Sequence, residues 1–120
     1  MNELRLKVRP RPKPRMTKAD AWKKRPVVLK YWAYKDEVLR QAKGYKLPDK
    51  IEIVFHLKMP KSWSKKKKAE MFGKPHQQRP DVDNLEKSIM DIFLGEDCRV
   101  WWSLTIKYWS DEDLVIINEG

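Results

Sequence analysis

Residues 51–57 read Ile-Glu-Ile-Val-Phe-His-Leu, and this stretch decides which fold the rest of the chain can adopt. Four apolar side chains alternate along it: Ile51, Ile53, Phe55 and Leu57. A period of two is typical of a β-strand that buries one face and leaves the other more open. We therefore predict a strand over residues 51–57, with His56 on the opposite face as a surface residue rather than a ligand.

The amino-terminal side of this strand predicts a second strand, an extended arm and a helix. Apolar and basic residues alternate over residues 4–8, which indicates a strand. Prolines at positions 10, 12 and 14 favour an extended basic arm, although a plain connector explains them equally well. Apolar residues spaced three and four apart over residues 27–42, followed by Gly44, predict a helix. The aromatic stripe of this helix is expected in the core or an interface: Tyr31, Trp32 and Tyr34.

The carboxy-terminal side predicts two helices followed by two strands. Ser64 is a good N-cap for a short helix over the lysine run, which Gly73 would end. A longer helix is predicted over residues 83–94, because its apolar side chains form one stripe: Leu85, Ile89, Ile92 and Phe93. Strands are predicted over residues 100–109 and 114–117, and the short polar link between them favours a β-hairpin.

The order of these elements is strand, helix, strand, short helix, helix, strand and strand. This order predicts one small domain of the α/β (α+β) class over residues 1–120. Its mixed β-sheet would be flanked by the two main helices. The sequence has no internal repeat and no change in composition that would mark a domain boundary.

The charge of the chain points to a polyanionic partner. Its 120 residues include 27 lysine and arginine residues against 17 acidic ones, which gives a formal net charge of +10. Nucleic acid is the commonest such partner, whereas no stretch has the broad apolar face of a membrane-surface helix. A well-solvated surface without a partner is the remaining alternative. The candidate DNA-binding side chains are Arg11, Lys13, Arg15, Lys65, Lys66, Lys67, Lys68 and Arg79.

Cysteine content and the apolar segments indicate the compartment. Cys98 is the single cysteine, which excludes an intramolecular disulfide and a thiolate metal cluster. The first ten residues lack the apolar run of a signal peptide, and no apolar stretch is long enough to span a bilayer. We therefore expect a cytoplasmic protein without a membrane partner.

The residues best suited to chemistry are acidic and surround the start of the second main helix. Asp81 and Asp83 would project to the same side of an extended chain, and Lys87 lies one helical turn after Asp83. Asp97 follows the helix and could return to its start. Carboxylate oxygens are the ligands that Mg²⁺ prefers, so the cluster predicts a magnesium site. The alternative is structural, since Asp83 is also placed as an N-cap with Glu86 as its capping-box partner.

The run Asp81-Val82-Asp83-Asn84-Leu85-Glu86-Lys87, followed by a helix and by Glu96-Asp97, resembles the signature of RusA-type Holliday junction resolvases. Residues 59–64 with the lysine run also resemble phage-encoded members of that family. The similarity covers nearly the whole chain, with Glu96 in place of the first aspartate of the usual acidic pair. It implies a RusA-like homodimer that resolves four-way DNA junctions by paired symmetric nicks in DNA recombination and repair.

The same resemblance implies a role for each residue of the motif. Asp81, Asp83 and Asp97 would be ligands for Mg²⁺, with Mn²⁺ as a substitute, and Lys87 would be the catalytic lysine. Two alternatives stay open: a basic, non-catalytic DNA-binding protein, and a nuclease of the same fold that prefers flaps or replication forks. An aromatic cluster near the end of the chain offers material for a dimer interface, unless it belongs to the core or contacts DNA: Trp101, Trp102, Tyr108 and Trp109.

Overall fold

Strands and helices follow one another in the predicted order in the computed structural model, which describes residues 3–14, 25–94 and 99–120. The elements are β1 (Leu4–Leu6), α1 (Pro26–Ala42), β2 (Lys50–Lys58), α2 (Lys65–Met71), α3 (Val82–Leu94), β3 (Trp102–Ser110) and β4 (Leu114–Glu119). The predicted elements are confirmed, with ends that shift by one or two residues. No helix in the described part of the chain has the length and apolar character needed to cross a membrane. Predictions made for Arg15, Glu96 and Asp97 lie outside the described residues.

The four strands form one mixed sheet in the order β1-β4-β2-β3. β2 runs parallel to β3 and antiparallel to β4, while β1 pairs antiparallel with β4 at the far edge. Parallel neighbours need a long crossover connection, and the segment that contains α2 and α3 provides it. The chain therefore folds as a small α+β domain with the predicted mixed sheet.

The predicted hairpin between the last two strands is wrong. β3 and β4 are consecutive in the chain, yet β2 lies between them and pairs with both. Their link crosses the end of β2, where Lys58 N donates to Asp113 Oδ1 at 2.9 Å and Met59 N donates to Ser110 O at 2.9 Å. Burial explains this order, because the strand with the strongest apolar alternation gains most from a neighbour on each side.

Both long helices pack on one face of the sheet. The core on this face includes Tyr31, Tyr34, Val38, Ile51, Ile53, Phe55, Leu85, Ile89 and Ile92. Full burial of an aliphatic or aromatic side chain contributes about 1.5–3 kcal/mol, so this cluster is the main source of stability. The prediction for the aromatic stripe is confirmed for Tyr31 and Tyr34, which are buried, whereas Trp32 is exposed.

The opposite face of the sheet stays partly exposed. The strand register places Val54 beside Ile106 and Ile116 on this face, and Leu104 lies on it with 44% of its surface exposed. We call these four side chains the open sheet face. They form an apolar strip, and on the same face Glu52 lies beside Leu104 and Arg5 lies beside Ile116.

The ends of the first two helices agree with the sequence signals. Gly44 and Gly73 have φ angles of 80° and 78°, which glycine adopts more readily than other residues, and they follow α1 and α2. Ser64 is the N-cap of α2, since its Oγ accepts a hydrogen bond from Lys67 N at 3.1 Å. These local signals therefore predicted the helix ends well.

The loop that precedes α3 covers part of the outer edge of β3. Gly73 N donates to Trp109 O at 2.9 Å, Trp109 N donates to Lys74 O at 3.0 Å, and His76 N donates to Lys107 O at 3.0 Å. These bonds satisfy backbone groups that an edge strand would otherwise expose. They also fix the course of the chain as it approaches the acidic motif.

Candidate active site

The acidic motif forms the first turn of α3. Leu85 N donates to Asp81 O at 3.1 Å, so Asp81 is the N-cap and the helix begins at the next residue. The prediction that Asp83 is the N-cap with Glu86 as its capping-box partner is wrong. Asp83 Oδ1 accepts from Asn84 N at 2.9 Å, and Glu86 Oε1 is buried with no hydrogen-bond partner among the described residues. Because Asp83 is helical, the two aspartates do not share one side of an extended chain.

Three charged side chains of the motif are exposed at this end of the helix: Asp81, Asp83 and Lys87. The positive end of the helix dipole stabilises carboxylates placed there. Lys87 lies one turn after Asp83 on the same helix face, and within the described residues its ammonium has no ion-pair partner. Asp91, one turn further on, pairs instead with Lys13 at 3.0 Å. This leaves the Lys87 ammonium able to contact a phosphate group.

A lysine of β3 holds the loop that leads into the motif. Lys107 Nζ donates to Gln78 O at 2.5 Å and to Pro80 O at 2.7 Å. Burial lowers the pKa of the Lys107 ammonium, and the nearby Asp81 carboxylate opposes that shift. The two bonds fix the chain just before the helix, which is the physical reason that the N-cap is Asp81 rather than Asp83.

A cleft of about 730 Å³ lies beside the acidic motif. Its walls are formed by residues 9–12 of the amino-terminal arm, by residues 57–61 at the end of β2, and by residues 78–81. Asp81 and Asn84 line it, so the acidic end of α3 opens onto the cleft. Five basic residues line it as well: Arg9, Arg11, Lys58, Lys61 and Arg79. We call this feature the basic cleft.

A row of tilted aromatic rings in contact connects the basic cleft to α2. The rings of His76 and Trp109, which both line the cleft, have centres 4.2 Å apart. Trp63 packs on Trp109 at 4.7 Å, and Lys67 Nζ lies 4.3 Å from the centre of the Trp63 ring. Trp109 is therefore a core residue, and its predicted place in an interface cluster is wrong. Burial and the Lys107 charge lower the pKa of His76, which favours its neutral form.

The structure brings together some of the predicted DNA-binding side chains. Arg11, from the amino-terminal arm, and Arg79, from the loop before α3, both line the basic cleft. Lys13 is bound to Asp91 and ties the arm to α3, so its charge is already engaged. The lysine run stands on α2, where its side chains are exposed or partly exposed: Lys65, Lys66, Lys67 and Lys68. The basic surface therefore consists of the cleft and the neighbouring lysine run.

Two carboxylates of the motif have the donor chemistry that Mg²⁺ requires. Asp81, which lines the basic cleft, and Asp83, in the first turn of α3, offer hard oxygen donors in exposed positions, and such donors fit this ion. No three histidine, cysteine or carboxylate side chains within residues 3–14, 25–94 and 99–120 form a group that could hold a metal ion. The third ligand expected from the sequence, Asp97, lies outside these residues.

Comparison with known proteins identifies the family to which this site belongs. The family model described as Endodeoxyribonuclease RusA matches residues 6–118, which is nearly the whole chain. The chain belongs to the RusA endodeoxyribonuclease family. No curated protein matches it. The resemblance seen in the acidic motif is thus confirmed, and RusA enzymes are endodeoxyribonucleases that act on branched DNA.

Two residues of this RusA site were not predicted from the sequence. Lys107 lies on the same face of β3 as Trp109 and pairs in register with Phe55 of β2, and both of these neighbours are buried. A lysine at a core-facing position of the strand was therefore the signal available in the sequence. His76 was not assigned a role because a lone histidine in a polar loop carries little information. Its burial depends on pairing with β3, a contact that is distant in sequence.

Replacement of Lys107 by methionine should slow DNA cleavage about tenfold while the affinity for DNA stays nearly unchanged. Methionine keeps the volume of the side chain but cannot donate to Gln78 O and Pro80 O, so Asp81 loses its fixed position, and small misplacements of a catalytic group are costly. Single-turnover rates and binding constants measured on the same variant separate the two effects. Lys74→Met, on the exposed side of the same loop, is the control. Equal rates for both variants would show that Lys107 does not position the site.

Proposed function

We propose that this RusA-family protein is a Mg²⁺-dependent endodeoxyribonuclease that resolves four-way DNA junctions by paired symmetric nicks. One observation carries the proposal: two exposed carboxylates and an unpaired lysine stand at the start of one helix, and the first of them, Asp81, lines a cleft with five basic residues. The observation supports the proposal because acidic groups suited to a metal lie beside a surface suited to phosphates. We expect the protein to act in the cytoplasm on branched DNA that forms during recombination and repair.

The roles of the chain's own residues follow from their positions. Asp81, Asp83 and Asp97 would hold Mg²⁺, or Mn²⁺ in its place. When bound, the ion supplies Lewis-acid activation of the phosphate and lowers the pKa of water. Lys87 would donate hydrogen bonds to the phosphoryl oxygens, where charge accumulates during hydrolysis. Arg11 and Arg79 would hold the flanking phosphates along the basic cleft.

Competition binding tests the choice of substrate. Asp83→Asn protein, which should bind without cutting, is bound to a labelled four-way junction and challenged with unlabelled junction, flap, fork and linear duplex of the same base composition. We expect unlabelled junction to compete best. Equal competition by linear duplex would support a general DNA-binding protein, and stronger competition by flap or fork would assign the site to those substrates.

Junction binding should weaken steeply with salt, and the lysine run should account for part of that dependence. Each phosphate contact contributes roughly −0.9 to the slope of log affinity against log salt, so alanine at positions 65–68 should flatten the slope by about two to three units. α2 has no buried residues, which makes the variant safe for folding. A matched control replaces four other exposed lysines: Lys30, Lys35, Lys43 and Lys46. A larger change in the control would place the DNA surface elsewhere.

We also propose that two copies of the chain form a C2 dimer through the open sheet face. Two matched nicks across a four-way junction need two sites, and a two-fold axis presents them in register with the junction. The open sheet face supports this choice because its four apolar side chains remain partly or largely exposed, and exposed apolar surface of this kind often marks an interface. Trp102 and Tyr108 lie on the same face by strand alternation and would extend the contact.

One chain has a mass of 14.5 kDa, and sedimentation equilibrium without DNA should give twice that mass. Leu104→Asp should give the mass of one chain, because it buries a charge in the proposed interface. Leu39→Asp is a matched control, since Leu39 on α1 is 43% exposed and Leu104 is 44% exposed. A wild-type mass of one chain would refute the dimer, and dissociation by the Leu39 variant alone would move the interface to α1.

A further inference from the structure

We propose that the basic cleft holds one nucleotide of the DNA strand next to the cut, with its base removed from the stack. The inference rests on the proposed nuclease function and adds a binding site to it. The occupant would be a nucleotide that has lost its pairing at the branch point, and it would lie directly beside Asp81. The cleft would therefore recognise the branch itself, not merely the charge of the DNA backbone.

The dimensions of the cleft suit such an occupant. Its volume of about 730 Å³ lies within the range of about 300–1,000 Å³ that is usual for pockets that bind small molecules. A space of this volume cannot enclose a double helix. A single nucleotide can enter, and its neighbours in the strand would lie along the rim.

The lining combines the two surfaces that a nucleotide requires. The exposed prolines Pro12 and Pro60 offer an apolar surface for a flat base, and the cleft is also lined by the buried side chains of Leu57, Met59 and Trp109. Basic residues supply positive charge for the phosphates on either side, among them Arg9, Lys58 and Lys61. A positively charged groove with an apolar or aromatic surface for bases is the general solution for binding a single strand.

One buried polar group in the lining is unexplained by the fold. His76 is 5% exposed, and its Nδ1 is buried without a hydrogen-bond partner in the described part of the chain. A buried polar atom without a partner destabilises a protein, so such an atom in a cleft wall suggests a ligand that completes its bonding. A neutral imidazole offers one donor and one acceptor, which matches the edge of a nucleobase.

Binding of an unstacked nucleotide in the cleft would make the enzyme selective for branched DNA over linear duplex. Removing a base from intact duplex costs a few kcal/mol, and the penalty is smallest where pairing is already lost. Nucleotides at a branch point meet that condition, whereas those of a linear duplex do not. Occupation of the cleft would bring the adjacent phosphate to Asp81 and Asp83 mainly at branches.

Fluorescence of 2-aminopurine tests the proposal, because this base brightens when it leaves the stack. Junctions carry the probe either at the branch point or in the middle of an arm, and they are bound by protein with Asp83→Asn to prevent cutting. We expect a rise in fluorescence for the branch probe alone. No rise for the branch probe on a fully bound junction would overturn the proposal. Because cleavage is not measured, this result is independent of whether the nuclease function holds.

Two substitutions then test whether the base occupies the basic cleft. His76→Phe keeps the packing on Trp109 and removes both ring nitrogens, and it should lower the fraction of unstacked probe about tenfold, the scale of one hydrogen bond. His56→Phe is the matched control, since His56 lies on the opposite face of the sheet in contact with Tyr108. Gln78→Trp fills the cleft from an exposed position and should abolish the signal even if His76→Phe folds poorly. An undiminished signal with Gln78→Trp would show that the base lies elsewhere.

Discussion

Asp83→Asn should lower the rate of junction cleavage by at least about a hundredfold, the scale of a lost catalytic contact, while junction affinity is kept or improved. The substitution removes a negative charge that a metal ion needs and that DNA phosphates avoid. Asp81→Asn and Asp97→Asn should behave in the same way. Single-turnover cleavage and equilibrium binding of one labelled junction measure both quantities.

The Asp81 variant is especially informative because Asp81 is the N-cap of α3. Asparagine is as good an N-cap as aspartate, so thermal stability should be retained while cleavage is lost. A purely structural role would leave cleavage intact in this variant. Asp36→Asn, on the exposed side of α1, is the control for the loss of one negative charge. Near-normal cleavage by two of the three motif variants would remove the basis for the metal assignment.

Lys87→Ala should also reduce cleavage about a hundredfold, the loss expected when a group that stabilises transition-state charge is removed. Junction binding should change little, because one phosphate contact is lost among many. Lys87→Arg should not restore the rate, since a planar guanidinium does not replace a compact ammonium. Rates measured under single-turnover conditions separate the chemical step from binding.

The environment of Lys87 makes this prediction specific. Asp91, the acidic residue one turn away, is already paired with Lys13, so Lys87 is not needed to neutralise it. Lys35→Ala, an exposed lysine of α1, provides the control for the loss of one positive charge. If the Lys87 and Lys35 variants cut equally well, Lys87 is a surface residue of the helix without a catalytic role.

Local sequence patterns were sufficient to predict the elements of this fold. The alternation over residues 51–57 and the stripe of Leu85, Ile89 and Ile92 are local signals, and each produced the element expected. Strand order was not predictable in the same way. The short link between β3 and β4 favoured a hairpin, but β2 takes the place between them because that position covers its apolar residues best. The strand order depends on the energies of contacts between residues that are distant in sequence.

Prediction of the site was limited for the same reason. Asp81, Asp83 and Lys87 were found because the motif is contiguous, and the structure places them together at the start of α3. Lys107 and His76 reach the site through pairing of the loop with β3, which no short motif encodes. Asp81 is the N-cap in place of the expected Asp83, because Lys107 fixes the carbonyl groups of Gln78 and Pro80 just before it.

Cleavage of a synthetic four-way junction with and without Mg²⁺, beside a linear duplex of the same sequence, tests the central claim most directly. Each of the four strands is labelled in turn so that the position of every cut is known. We predict paired nicks at symmetric positions on two opposing strands of the junction, only when Mg²⁺ is present, and no comparable cutting of the duplex. Equal cutting of junction and duplex, undiminished cutting in the presence of a metal chelator, or binding without any cutting would contradict the proposed function.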